Sequence, residues 1–153
     1  MAALQGVFRS GSTSLTGGTA QTVIQLVAPT NQRLKILSWR ISFNGTNSAN
    51  TPATVQIERQ TGGTFTNTAV APVKVNDPSG TGETLQASAK TAVTAEPTVG
   101  DILDEFFEPV FGGFIGWQYT PGQEVIVMGG TLLGFKVNAP QSVSVECTVY
   151  YEE

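Results

Sequence analysis

The densest run of negative charge in this sequence is a candidate for carboxylate chemistry. Asp101, Asp104, Glu105 and Glu108 all lie within "PTVGDILDEFFEPVFGG", residues 97–113. Acid–base catalysis by a carboxylate pair needs one buried and one solvated group, so that their pKa values separate. A calcium site needs about six or more oxygen ligands, usually from a wrapped loop. Four acids on one exposed face match neither requirement, so the pattern favours a solvated face, with weak cation binding as the alternative.

The spacing of these four acids predicts the element that carries them. They fall at positions i, i+3, i+4 and i+7, which is the period of one helix face. Gly100 before the run and Pro109 after it limit such a helix to about two turns. The alternative interpretation is a strand in which Phe106 or Phe107 anchors the core.

Other residue types that commonly do chemistry are scarce. The chain has no His and a single Cys, Cys147. The lack of His excludes Ser-His-Asp and Cys-His arrangements, and there is no Ser-x-x-Lys motif or phosphate-binding glycine loop. Cys147 has no second thiol or imidazole with which to bind zinc, and it lies on the inward face of a predicted strand. We therefore predict a protein that is not an enzyme and has no cofactor, metal site or small-molecule substrate.

One aromatic pair offers a different kind of site. Trp117 and Tyr119 are two residues apart on a predicted strand, so they project from the same face and could form a flat platform for a sugar. Aromatic residues more often fill a core or a subunit contact, and we favour that interpretation.

The charge of the chain limits its partners. The formal net charge is −4 and the pI is about 4.7, so the protein lacks the basic field that attracts nucleic acid. No stretch approaches the roughly 18 apolar residues of a membrane helix, and the start has no secretory signal pattern. We expect a protein that is made and assembled in a cytoplasm, with neither nucleic acid nor membrane as a partner.

The elements that must position these residues are strands. Thr, Ser, Gly and Pro are frequent, and apolar residues alternate with polar ones, most clearly in the last strand, where Val143, Val145, Cys147, Val149 and Tyr151 face inward. Short strands are predicted at 22–28, 33–43, 53–60, 68–75, 83–87, 114–119, 124–128, 132–137 and 143–151.

The first twenty residues differ from the rest. "SGSTSLTGGTAQ" (10–21) is small and polar, so we interpret residues 1–20 as an N-terminal arm and residues 21–153 as the folded domain. Val7, Phe8 and Arg9 form a short apolar patch that could bind a partner by strand addition. An edge strand of the same domain is the alternative. As an arm, residues 1–20 could be deleted without unfolding the domain.

The fold class follows from the number and spacing of the strands. Many short strands with turn signals about every ten residues are typical of an all-β antiparallel sandwich or barrel. The long connections at 44–52 and 76–90 are easiest to place as crossings between two sheets, which favours a jelly roll.

A family resemblance is carried by two stretches, "TAEPTVGDILDEFF" (94–107) and "YTPGQEVIVMGGTLLGFKVNAPQSVSVECTVYYEE" (119–153). There the sequence resembles the small jelly-roll head decoration, or cement, proteins of tailed bacteriophages. The resemblance covers roughly residues 20–153, and its motifs are structural ones: Pro-Gly, an apolar strand, Gly-Gly, a second apolar strand, Ala-Pro and a final strand.

The resemblance implies a structural virion protein. It would be a homotrimer on the exterior of the capsid, with the major capsid protein as its partner, and it would stabilise contacts between coat subunits. The alternatives are a tail-associated or receptor-binding module that holds a glycan through Trp117 and Tyr119, and a single-jelly-roll coat subunit that builds a shell itself.

Overall fold

The computed structural model describes residues 4–46, 51–76 and 82–153. These residues form thirteen strands and no helix. The strands are β1 (Gln5–Arg9), β2 (Thr13–Leu15), β3 (Ala20–Val27), β4 (Leu34–Phe43), β5 (Ala53–Thr61), β6 (Thr64–Val70), β7 (Val73–Lys74), β8 (Ser88–Ala95), β9 (Thr98–Glu108), β10 (Phe114–Gln118), β11 (Val125–Val127), β12 (Leu132–Asn138) and β13 (Val143–Glu152).

The strands make two sheets that pack as a sandwich. The seven-stranded sheet has the order β10-β4-β13-β1-β7, with β11 also pairing with β4 and β2 with β13. The six-stranded sheet has the order β6-β8-β3-β12-β5-β9. Neighbouring strands are antiparallel throughout the described pairs. The predicted all-β antiparallel sandwich is therefore confirmed.

Connections between the strands cross repeatedly from one sheet to the other, as in folds of the jelly-roll type. The chain passes from β4 in one sheet to β5 in the other, and from β7 to β8 in the same manner. They correspond to the predicted connections at 44–52 and 76–90, the second of which ends before Ser88, where β8 begins. Both predicted crossings are therefore confirmed, although residues 47–50 and 77–81 lie outside the described parts.

The core lies between the inner faces of the two sheets. The inward residues predicted for the last strand are all buried, and Cys147, Val149 and Tyr151 are fully so. In β4 the predicted inward face holds for Trp39, Ile41 and Phe43, but Leu37 is only half-buried. The β4–β13 register pairs Tyr150 with Ser38 and Tyr151 with Ile36. Leu37 is thus the extra residue of a β-bulge, which moves burial to Ile36.

The proposed boundary at residue 20 needs correction. Strand β1 pairs with β13 on one side and with β7 on the other, and β2 pairs with β13. Phe8 and Leu15 are buried in the common core. Residues 5–15 thus belong to the sandwich, as the alternative of a strand in the same domain predicted, and they do not form an extended arm.

Two further segments differ from the predictions. Residues 83–87 form no strand, and the strand that follows is β8. The acidic run is not helical but forms β9, paired with β5. Two irregularities of register in that pairing disturb the strict alternation of sides along β9. The acids can therefore recur in a strand with a spacing that resembles a helical period. Pairing with β5 gives β9 a ladder that is regular from Asp104 to Glu108. A two-turn helix would instead have carried the unfavourable free energy of helix nucleation with little burial to offset it.

Candidate binding edge

Strands β9 and β10 are the terminal strands of the two sheets. Within the described chain, β9 pairs only with β5 and β10 pairs only with β4. The five residues 109–113 join them, and a Cβ atom at Gly113 would collide with the Pro109 carbonyl. Both strands therefore lie on one side of the sandwich, each with a backbone edge that has no neighbour in the described residues. We call residues 98–118 the acidic edge.

The four carboxylates of the acidic edge do not converge. Glu108 and Asp104 pair with Ala53 and Ile57, two core residues of β5, whereas Glu105 pairs with Gln56 on the opposite face. The Gln56 amide donates a hydrogen bond to Glu105. The expectation of one shared solvated face is wrong, because the element is a strand with alternating sides. No group of three or more His, Cys, Asp or Glu residues in the described parts is placed to hold a metal ion.

Aromatic side chains close the space between the sheets behind this edge. The Phe106 ring stacks on Trp39 with a centroid distance of 5.1 Å and an interplanar angle of 14°. The indole N–H of Trp39 donates to the Tyr119 hydroxyl at 3.3 Å. Burial raises the pKa of Tyr119, and the nearby charge of Asp104 raises it further. The alternative in which Phe106 anchors the strand in the core is therefore correct.

Trp117 is not buried in the core, so the core part of the favoured prediction is wrong for this residue, and a subunit contact stays a prediction. It lies directly across from Trp39 in the β10–β4 pair, yet it is 57% exposed, whereas Trp39 is 3% exposed. The difference arises because β10 ends its sheet, so no described strand covers its far side. The position leaves both a partner contact and a sugar platform open as uses of Trp117.

Large apolar side chains are concentrated along the acidic edge. Seven of the ten large hydrophobic residues exposed in the described chain lie there: Val99, Ile102, Leu103, Phe107, Phe111, Phe114 and Trp117. An aromatic side chain carries about 150–250 Å² of surface, so its four exposed aromatic residues present on the order of 500 Å². The largest apolar patch of a typical monomer is about 300–600 Å² and is often functional.

The residues predicted to bind a partner occupy a different place. Val7 is 8% exposed and Phe8 is 1% exposed, and the Phe8 ring stacks on Tyr151 with centroids 4.9 Å apart. Neither side chain can reach a partner unless the sheet opens. Arg9, at the end of β1, is exposed, so a contact through Arg9 stays a prediction.

The sequence did not predict a buried polar cluster that lies on the outer face of the six-stranded sheet. The Gln60 amide donates to Thr22 Oγ1 at 3.0 Å and to Glu58 Oε1 at 2.8 Å. The Gln25 amide donates to Gln60 Oε1 at 2.9 Å. The ammonium of Lys136 lies 3.8 Å from Glu58 Oε1.

The segment after β8 covers this cluster. Glu96 accepts hydrogen bonds from the backbone and hydroxyl of Thr22 at 2.9 and 2.8 Å, and its carboxylate lies 3.9 Å from Lys136. Oxygen Oε2 of Glu58 has no hydrogen-bond partner among the described residues. The residue of the sequence that could have indicated this cluster is Gly134, because a Cβ atom there would occupy the space of the Gln60 amide.

The described surface also carries shallow grooves. One of about 520 Å³ lies between β2, β13 and the start of the 44–52 connection, and its lining is uncharged, including Ser14, Asn44, Gln141 and Ser144. These side chains supply amides and hydroxyls but no group that titrates near neutral pH. The groove thus offers hydrogen bonds and no acid–base pair.

Comparison with known proteins gave only weak structural matches. No protein-family model matches the sequence, and no curated protein matches it. Among solved structures, the VP2 subviral particle of infectious bursal disease virus aligns at 13% identity and a TM-score of 0.25, covering 97% of this chain and 41% of that chain. A structure of T=1 particles derived from infectious bursal virus aligns at 10% identity and a TM-score of 0.24, covering 97% and 40%.

This chain therefore spans about two fifths of the length of those capsid chains. At such TM-scores the alignments carry no weight for the fold or function of this protein. No helix in the described residues is long and apolar enough to cross a membrane.

Proposed function

We propose that this protein is a structural component of a virion, a decoration protein that binds the outer surface of a tailed-phage capsid and stabilises contacts between coat subunits. Its partner would be the major capsid protein, and it would act as a homotrimer without enzymatic activity. The proposal combines the resemblance of residues 20–153 to head decoration proteins with the surface of the sandwich.

The observation that carries the proposal is the exposed apolar surface of the acidic edge. Phe107, Phe111 and Phe114 are 66%, 59% and 63% exposed, which is unfavourable in an isolated molecule and favourable in an interface. A rigid sandwich that displays aromatic anchors suits a function exerted by contact. Symmetric copies would add avidity to each such contact.

Cosedimentation tests this function. Purified protein is mixed with preformed shells of the coat protein from the same genome, and the bound fraction is measured after pelleting. We expect saturable binding and a higher temperature of shell disruption, because a ligand that binds only the assembled state stabilises it. Shells that stay bare at micromolar protein, with no change in disruption temperature, would contradict the proposal.

The same samples distinguish the coat-subunit alternative. A coat subunit would assemble into closed shells by itself, which electron microscopy of the purified protein detects. A decoration protein is expected to remain a small oligomer in the absence of coat shells.

The glycan-binding alternative is kept because Trp117 is 57% exposed. A sugar stacked on Trp117 would quench its fluorescence, and Trp117→Ala would abolish that response while the signal of buried Trp39 remained. Saturable quenching by a glycan, lost in this variant, would favour the receptor-binding alternative over the decoration role.

A further inference from the structure

The free side of β9 is long, and what protects it against strand pairing is its acidic side chains and the register irregularities in its first part. Free strand edges are templates for another chain, and proteins usually blunt them with charged side chains, Pro or bulges. Residues 98–108 contain neither Lys nor Pro. The register irregularities affect only the part of β9 before Asp104. From Asp104 to Glu108 the strand pairs with β5 without interruption, so its opposite side presents a regular row of backbone groups.

All the charged residues of the acidic edge are acidic. The chain has 12 acidic and 8 basic residues. Removing the four acids of the acidic edge leaves eight acids against eight bases, so this edge accounts for the whole formal net charge of −4. Ion pairs between described residues join Lys35 to Glu124 and Lys136 to Glu58 and Glu96, and none of them includes the edge acids.

This charge distribution selects among possible occupants of the edge. A second copy that paired β9 against β9 would place carboxylates opposite or diagonal to carboxylates, which is destabilising. A partner strand with basic side chains would instead form opposite-charge pairs, each favourable by about 0.2–1 kcal/mol. The acids thus oppose self-association and leave the edge open to a basic chain.

The order of residues on the regular part of β9 specifies the partner further. The positions Asp104, Glu105, Phe106, Phe107 and Glu108 read acidic, acidic, apolar, apolar, acidic. Directly opposed residues interact most strongly across a strand pair. An antiparallel partner would therefore read basic, apolar, apolar, basic, basic.

We propose that Asp104–Glu108 is a docking strand for an extended segment of a partner protein with the pattern basic-apolar-apolar-basic-basic, which would add to the six-stranded sheet. The inference rests on the edge geometry and its charge, and it does not require the partner to be a phage coat protein. Shell binding and peptide docking can thus succeed or fail separately.

The test uses the full-length protein and an acetylated, amidated peptide, Thr-Lys-Val-Val-Lys-Lys-Thr. Titration is followed by amide chemical shifts in NMR. We expect binding with shift changes centred on residues 104–108. Two control peptides keep the charge, one with the order Lys-Lys-Val-Lys-Val at its centre and one with N-methylated alternate peptide bonds. Both should bind about tenfold more weakly, since register and backbone hydrogen bonds are lost.

Matched variants separate local pairing from overall charge. Asp104→Asn with Glu105→Gln removes two edge charges, and Glu83→Gln with Glu146→Gln removes two exposed charges elsewhere. The edge variant should bind the peptide about fivefold more weakly, and the control variant should bind as the wild type does. Absence of binding at millimolar peptide, equal binding of the N-methylated peptide, equal loss in both variants, or self-association through β9 would overturn the proposal.

Discussion

Lys136 is the one cation that the structure places in the buried polar cluster of the described six-stranded sheet. Its side chain is 13% exposed and lies beside Glu58, whose side chain is fully buried. Burial of a carboxylate is strongly unfavourable unless it is paired and hydrogen-bonded. Lys136 is therefore expected to contribute more to the stability of the protein than a surface ion pair does.

At the level of single residues, we predict that Lys136→Met lowers the free energy of unfolding by about 3 kcal/mol, because Glu58 would keep a buried charge with no cation beside it. Urea unfolding followed by Trp39 fluorescence measures the change. Arg33→Met, at an exposed position, is the control and should change stability by about 0.5 kcal/mol or less.

A second change makes this prediction more specific. Adding Glu58→Gln to Lys136→Met removes the orphaned charge, so the double variant should be more stable than Lys136→Met alone. Equal effects of Lys136→Met and Arg33→Met would show that the cluster contributes little.

Single residues were predictable where a strict alternation fixes which side of a strand is buried. Cys147 and Trp39 are buried as their strand positions indicated. Trp117 shares its face with buried residues but lies in a terminal strand. Strand order depends on pairing between distant segments, so the local sequence contains no sign of this exposure.

Among the elements, β1 shows how much the sandwich depends on its N-terminal segment. Phe8 pairs with Val149, so the strand's neighbour is far away in the sequence. The polar composition of residues 10–21 concealed this pairing, because burial here comes from β13 and not from local hydrophobicity. Composition alone therefore indicated an arm where the structure has two strands.

We expect deletion of residues 1–20 to unfold or strongly destabilise the protein, because it removes β1, β2 and the core residues Phe8 and Leu15. Phe8→Ala in the full chain should lower the free energy of unfolding by about 3–5 kcal/mol. Circular dichroism and urea unfolding measure both effects.

The matched control for this element is Phe114→Ala, at a residue that is 63% exposed. It should change stability by about 0.5 kcal/mol or less. A truncated protein that remains folded with near-native stability would restore the arm interpretation.

The acidic run shows a similar limit to the prediction of secondary-structure elements from sequence. Its spacing matched a helix, but the bulged pairing with β5 makes it a strand. The most regular predicted strands, such as β12 and β13, were found near their predicted bounds. Bulges and sheet order, which arise from tertiary pairing, were beyond what the periodicity of one sequence could reveal.

The described molecule is a two-sheet sandwich with an exposed acidic and aromatic edge. The remainder of the chain has equal numbers of acidic and basic residues, and the buried residues of both sheets share one hydrophobic cluster. This arrangement separates a stable body from a surface suited to contact. Both proposals depend on that separation.

Hydrogen exchange of the free protein, resolved residue by residue, tests this account most directly. Amides of β1 should exchange slowly, because the strand lies between β13 and β7. Alternate amides of Asp104–Glu108 should exchange quickly, since that side of β9 has no neighbouring strand in the described fold. Fast exchange throughout residues 5–15, or uniform protection of Asp104–Glu108 in the free monomer, would contradict it.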